Sequence, residues 1–341
     1  MYIKDYARVR GAKTLKYLVG VLVVSAVLFA CGSVATRNKF YQPVRDFIKN
    51  QNYDAAAQLL DEERNRFGKK DRLLFYLDSG FAHHYAANLD TSNARLTLAE
   101  NTAEELFTKS VTRGAASMVL NDNTLEYAGE DYEVLYSNLF KAINYSWKDK
   151  FDDVYVEIRR ALLKLELLEQ KYARANQSFH ENKDEDDIDI DYEVEKVRFN
   201  NDAFARYLSM HVFAADGRWD DARIARDYLD DAFKSQPHIY YFDQPDVKYY
   251  SEDKAVLSVV AMAGPSPVKE ALSLRLRTDD ELDLIQVLYD SGPNKDAEYG
   301  HIPFPVKESF YVKFSLPKIV QRPSEIHSIS LKIGEYSYGE L

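Results

Sequence analysis

The chain has 341 residues, with 55 Asp and Glu against 44 Lys and Arg, 7 His and 1 Cys, and a formal net charge of −11. A single cysteine excludes an intrachain disulfide framework and any cysteine-based metal cluster. The acidic balance excludes a charge-driven nucleic-acid binder, and the length is enough for two compact domains.

In chain order, Lys4, Arg8, Arg10, Lys13 and Lys16, offset only by Asp5, precede an apolar run of 14 residues from Tyr17 to Ala30. A charged segment followed by a short apolar one is the pattern of an export signal. The run falls short of the roughly 20 residues that cross a hydrocarbon core. Extended to Ala35 it reaches 19 residues, which keeps an uncleaved single-pass inner-membrane anchor as the alternative. Leu28-Phe29-Ala30-Cys31 resembles the lipobox of bacterial lipoproteins. That resemblance implies cleavage before Cys31 and acylation of its sulfur with palmitate-type chains, each methylene then adding about 0.8 kcal/mol of membrane affinity. Gly32 and Ser33 stand where some lipoproteins carry an inner-membrane retention Asp, so the analogy implies an outer-membrane lipoprotein facing the periplasm. Residues 1–30 are then a signal peptide and 31–39 a lipidated linker. The leader holds five of the 44 basic and one of the 55 acidic residues, leaving a body of 54 acidic against 39 basic residues and a formal charge of −15. Such a body is held at an anionic surface by lipid and not by charge.

Residues 40–237 contain five glycines and, before Pro237, one proline, and they show helical periodicity. One helix-opening pattern occurs three times: Asn52-Tyr53-Asp54-Ala55-Ala56, Lys150-Phe151-Asp152-Asp153-Val154 and Arg218-Trp219-Asp220-Asp221-Ala222. Each sets an aromatic ring before an Asp, with a small or β-branched residue three places beyond the ring. The pattern resembles the turn and second helix of a tetratricopeptide-type repeat. The third copy is the fullest, with Phe213 on the preceding helix, Gly217 in the turn and Pro237 as the stop. Plain antiparallel helical hairpins are the alternative. An acidic loop at about 183–195 includes "DEDDIDID". Asp187, Asp189 and Asp191 have calcium-loop spacing, but the turn glycine and the closing Glu are missing, so a solvated, self-repelling loop is expected.

From 238 onward the period changes to two. Leu272, Leu274 and Leu276 share one face, as do Phe310, Val312, Phe314 and Leu316, and then Ile329, Leu331 and Ile333. With "AVLSVVAMAG" and "DLIQVLYDSG" as further strands, residues 238–341 are predicted to form a small antiparallel β-sandwich or open barrel. The expected fold class is α+β, a tetratricopeptide-like α-helical hairpin array followed by this β-rich domain.

Several motifs resemble a family of bacterial lipoproteins with a tetratricopeptide-like helical body, a β-rich C-terminal part and no assigned reaction. They are Asn121-Asp122, Thr124, Tyr127, Gly129-Glu130-Asp131-Tyr132-Glu133, Val156-Glu157 with Arg159-Arg160, and Gly264 with Pro267-Val268-Lys269-Glu270. The chain ends at Leu341, where relatives of that architecture are expected to continue, so an edge strand is expected to be open to pairing.

Glu130, Asp131 and Glu133 follow Gly129 at a predicted helix start and suit its positive end. Glu157 and Arg160 are spaced to pair along one face. Glu130, Asp131, Arg159 and Arg160 could also line a polar groove for a partner's tail. Twenty-five tyrosines are many, and "HIYYFDQPDVKYY" is the densest cluster. Tyr240, Tyr241, Tyr249 and Tyr250 are expected either to fill the seam between the two domains or to form a contact surface for protein or glycan. His83 and His84 are adjacent on a helix, so their rings diverge by about 100° and do not share a metal easily. No hydrolase, zinc-protease, phosphate-loop or dinucleotide motif occurs. The sequence therefore points to a non-enzymatic scaffold, without cofactor or metal, that is anchored through Cys31 and recruits a protein or peptide partner. A glycan-binding or glycan-processing envelope lipoprotein is the rival expectation, and an assembly factor for a secreted surface structure is the third.

Overall fold

The computed structural model describes residues 38–113, 126–183, 201–237, 239–240, 242–250 and most of 256–340. The leader with Cys31, the acidic segment 184–200, Asn121, Asp122, Thr124 and Tyr241 lie outside the described residues. The chain divides into two compact units at 256/257.

The first unit is helical. Its helices are α1 (Asn38–Lys49), α2 (Tyr53–Glu62), α3 (Arg72–Tyr85), α4 (Leu89–Arg113), α5 (Asp131–Ser146), α6 (Phe151–Lys183), α7 (Ala203–Ala215) and α8 (Trp219–Ser235). Each packs on its neighbour in sequence, giving four antiparallel hairpins: α1/α2, α3/α4, α5/α6 and α7/α8.

The four hairpins turn in one way. Gln51, Ala87, Asp149 and Gly217 each adopt the left-handed conformation, with φ of 56°, 59°, 55° and 70°. The next residue's N–H reaches five residues back to a carbonyl, from Asn52 to Phe47, Asn88 to His83, Lys150 to Tyr145 and Arg218 to Phe213, at 2.8–3.0 Å. This is the Schellman closure, which satisfies carbonyls that a helix end leaves orphaned. The following helix begins two residues after the left-handed one, and the residue five places after it is always small or β-branched and buried: Ala56, Ser92, Val154 and Ala222. The second copy, Asn88-Leu89-Asp90-Thr91-Ser92, escaped the sequence reading because Leu stands for the ring and Ser for Ala. The Asp three places after the left-handed residue is common to all four.

Small residues set the spacing elsewhere too. A Cβ placed on Gly80 of α3 would lie 2.6 Å from Leu96 Cδ2 of α4, while Ser92 Oγ donates to the Gly80 carbonyl at 2.8 Å. Gly80→Ala is expected to lower stability by roughly 1–3 kcal/mol through overpacking. Leu96→Ala should recover part of that loss in the double variant, as read by denaturant unfolding. The core of the first hairpin is built from Val44, Ala56, Leu60, Phe67 and Phe75. Leu135, Leu139, Ile158, Leu165, Met210 and Phe213 join α5 to α7.

Residues 239–250, placed in the β-rich domain from sequence, belong to the helical unit. Tyr240 and Val247 pack against Ala203, Leu229 and Ala232 of α7 and α8. The change in hydrophobic period at 238 marks the end of the last helix, and the second unit starts later.

The second unit contains β1 (Val268–Asp279), β2 (Leu284–Tyr289), β3 (Glu298–Pro303), β4 (Tyr311–Val320), β5 (Ser330–Ile333) and β6 (Tyr336–Glu340). An open antiparallel sheet has the order β3-β2-β1-β4, and β5 and β6 form a separate hairpin. Leu272, Leu274 and Leu276 turn to the half-buried face of β1, opposite exposed Ala271, Arg275 and Arg277, as their alternation predicts. The order is open, so among the described residues the strands do not close into a barrel, and β3 and β4 are edges. The run "AVLSVVAMAG" is not a strand: residues 256–262 are irregular, and Leu257, Val259, Val260 and Met262 are exposed. Composition gave that run its strand character, but no partner ladder takes it up among the described residues.

Candidate functional site

Of the residues singled out from sequence, Glu130 lies at the start of α5, where its N–H donates to Glu133 Oε2 at 2.8 Å. Glu133 also accepts the Tyr127 hydroxyl at 2.5 Å. Asp131 opens the first turn of the same helix. Arg160, on α6, donates to Glu157 at 3.3 Å and lies 3.9 Å from Glu100, and Arg159 beside it is exposed. Arg160 therefore stands level with Lys141, which meets the same two carboxylates. That is ten residues along α5 from Asp131, or roughly 15 Å. The acidic and basic halves of the expected groove are thus held at different heights on the α5/α6 hairpin.

Tyr240 turns inward. Its hydroxyl accepts the Ala203 N–H at 3.0 Å and its ring stacks on Phe233. Burial, with Asp202 adding to it, raises its hydroxyl to about 12. Tyr249 packs against the α5–α8 core. Tyr250 is exposed and meets Trp219 edge-on at 5.1 Å. Tyr240 and Tyr249 thus serve the helical unit's own packing, and among the described tyrosines of the cluster Tyr250 is the outward one.

Sequence reasoning missed a polar core running between the hairpins. Lys141 on α5 has no exposed surface, and its Nζ lies 2.7 Å from Glu100 of α4 and 2.9 Å from Glu157 of α6. Asn138 Nδ2 donates to Glu157 at 2.6 Å and to Glu100 at 3.2 Å, while Lys164 donates to Asn138 Oδ1 at 2.6 Å and also pairs with Glu100. Burial pushes the Glu100 carboxyl up, but Lys164 and Lys141 outweigh it and hold the group at about 2. One turn further along α5, Asn144 donates to Ser92 and Asn93 at 2.9 and 2.7 Å, and its oxygen meets His84 Nδ1 at 2.6 Å. Burial holds His84 below the usual imidazole value. These groups are satisfied within the protein and lock α3, α4, α5 and α6 in one register.

A third cluster joins the first hairpin to α3. Asp61 accepts Ser79 Oγ at 2.9 Å and Arg95 at 3.2 Å, and its other oxygen meets His83 Nε2 at 2.9 Å. Ser79 thus donates to the carboxylate and not to the imidazole. Nearby, Tyr41 of α1 donates to Asp78 of α3 at 2.7 Å. Among the described residues no group of three or more His, Cys, Asp or Glu is placed to hold a metal ion.

The common turn geometry brings all four hairpin turns to one edge of the helical unit, and contacts between turns fix it. Asn88 Nδ2 donates to Asp54 at 3.2 Å, Lys148 pairs with Asp90, and Arg218 lies 5.1 Å over the Tyr155 ring. Rings follow the same path: Tyr53 lies 5.6 Å from Tyr85, and Trp147 stacks on His84 at 5.6 Å. Trp147 is 61% exposed, Phe151 64% and Trp219 50%. Both tryptophans of the chain therefore stand in water on this edge. Large rings left exposed are a recognition signal, because aromatic residues dominate binding hot spots. No family model matches this chain, and neither a curated protein nor a solved structure matches it.

Proposed function

We propose that the chain is a lipid-anchored scaffold of the bacterial cell envelope, tethered through Cys31 at the outer membrane and facing the periplasm. Its tetratricopeptide-like helical hairpins recruit a protein or peptide partner. The observation that carries the reading is the shared edge of four identically closed turns, with both tryptophans exposed along it. The polar core supports it further, since a rigid register preorganises a surface and so lowers the entropic cost of binding. The lipobox-like Leu28-Phe29-Ala30-Cys31 supports the tether. No helix of the described residues is long and apolar enough to cross a membrane.

Glycan recognition through the tyrosine cluster has less support, because Tyr240 is engaged with Ala203. A photo-crosslinking residue placed at Phe151 in the full chain, in intact cells, should give one discrete heavier adduct. The same residue at Arg223, exposed on α8, should give none. The absence of a discrete adduct at every turn position would count against a scaffold.

A further inference from the structure

The α5/α6 turn combines two properties that neither packing nor capping requires together. Trp147 and Phe151 are its exposed large hydrophobic side chains, and Asp149, Lys150, Phe151, Asp152 and Asp153 line an open hollow of about 400 Å³. Trp147 is held from behind by His84, at an interplanar angle of 24°, which fixes the ring at the edge. Across the four turn segments, 50–54, 86–90, 147–153 and 216–221, eight Asp residues face three Lys or Arg.

Helix chemistry explains some of these carboxylates. Asp152 and Asp153 occupy the first turn of α6, where negative charge is worth about 0.3–1 kcal/mol. Asp149 is different. It sits between the C-terminal end of α5 and the N-terminal end of α6, whose dipoles act on a carboxylate in opposite senses, and its left-handed backbone would accept Gly or Asn without charge. An exposed carboxylate that neither helix end requires thus stands beside two exposed rings.

We propose that this turn edge, centred on Trp147, Phe151, Asp149, Asp152 and Asp153, is the docking surface for a cationic, arginine-bearing segment of the partner protein. The proposal rests on the scaffold reading and adds the partner's chemistry. A guanidinium is the group that uses both features at once, stacking on an aromatic face while donating to carboxylates in its plane. A neutral sugar would use the rings and leave the charges idle, and an anionic lipid or nucleic acid would be repelled.

The test uses the full chain carrying Trp219→Phe, so that Trp147 alone reports, titrated with a (Gly-Arg)6 peptide, a (Gly-Glu)6 peptide and tetra-N-acetylglucosamine. Saturable quenching by the arginine peptide alone, weakening as salt rises, is expected. Phe151→Ala with Asp152→Asn and Asp153→Asn should weaken it roughly tenfold. Asp227→Asn with Asp231→Asn, the same charge change on α8, should shift it less than twofold. Equal weakening by both charge changes would mean diffuse attraction and overturn the site. So would saturation by the sugar, or no saturable signal with the arginine peptide. Any of these alongside a discrete Phe151 crosslink would leave the scaffold reading standing while removing the cationic partner. Unchanged thermal melting of each variant shows that the fold is retained.

Discussion

Lys141→Met is expected to lower the unfolding free energy by roughly 3–5 kcal/mol, the usual result of leaving a buried charge without its partner. Lys141 is fully buried between Glu100 and Glu157. Glu100 retains Lys164, but Glu157 keeps only the longer Arg160 contact and the Asn138 amide. Much of the effect should therefore vanish when Glu157→Gln is added to Lys141→Met, since a neutral amide needs no counter-charge there. A double-mutant cycle by denaturant unfolding measures this coupling. A loss under 1 kcal/mol for the single variant would mean that the lysine is not buried as described.

The second large effect is a dependence on pH. Burial raises the Asp78 carboxyl, a hydrogen bond from Tyr41 works against this, and Glu133 adds to the rise, leaving the group at about 7. Its folded value is above its ordinary one, so the native chain binds the extra proton between about pH 4 and pH 7. Stability therefore falls as pH rises through that window and is flat above it. Asp78→Asn keeps an acceptor for Tyr41 and removes the charge. It is expected to stabilise the chain by about 2–4 kcal/mol at pH 8 and far less at pH 5. Glu100 acts in the opposite sense, its folded value of about 2 giving stability that is lost as pH falls below the ordinary carboxylate range. Thermal melts of the parent and Asp78→Asn from pH 3 to pH 8 distinguish the two slopes. Parallel curves would show that Asp78 titrates alike in the folded and unfolded chain.

Local signals were the legible part of this sequence. The alternation of Leu272, Leu274 and Leu276 gave β1, and the ring–Asp–small pattern gave three of four turns. The Glu157–Arg160 pair also follows from its spacing. The polar core was hidden because it is made by residues 41 and 16 positions apart, Glu100 with Lys141 and Lys141 with Glu157. On α5, Asn138, Lys141 and Asn144 form a polar stripe beside the apolar one of Leu135, Leu139 and Ala142. An amphipathic reading sends such a stripe to water. In an array, an inner helix is flanked on both sides, so its polar stripe is buried and must find partners.

The aromatic edge was half visible. Phe151 and Trp219 stand out in the sequence as the rings of the repeated turn pattern, but nothing in that pattern shows that both are exposed. Exposure depends on the turns of neighbouring hairpins lying side by side, which no single turn encodes. The strand expected within "AVLSVVAMAG" failed for the converse reason, because β-propensity needs a ladder partner to become a strand.

The proposal that lipid on Cys31 holds a folded recognition body at a membrane has a direct chemical signature. Mass spectrometry of the mature protein from the membrane fraction tests it most directly. The account predicts an N-terminus at Cys31 carrying a diacylglyceryl group, with Cys31→Ser leaving an unprocessed precursor. An intact Met1 with a free thiol at Cys31 would contradict it.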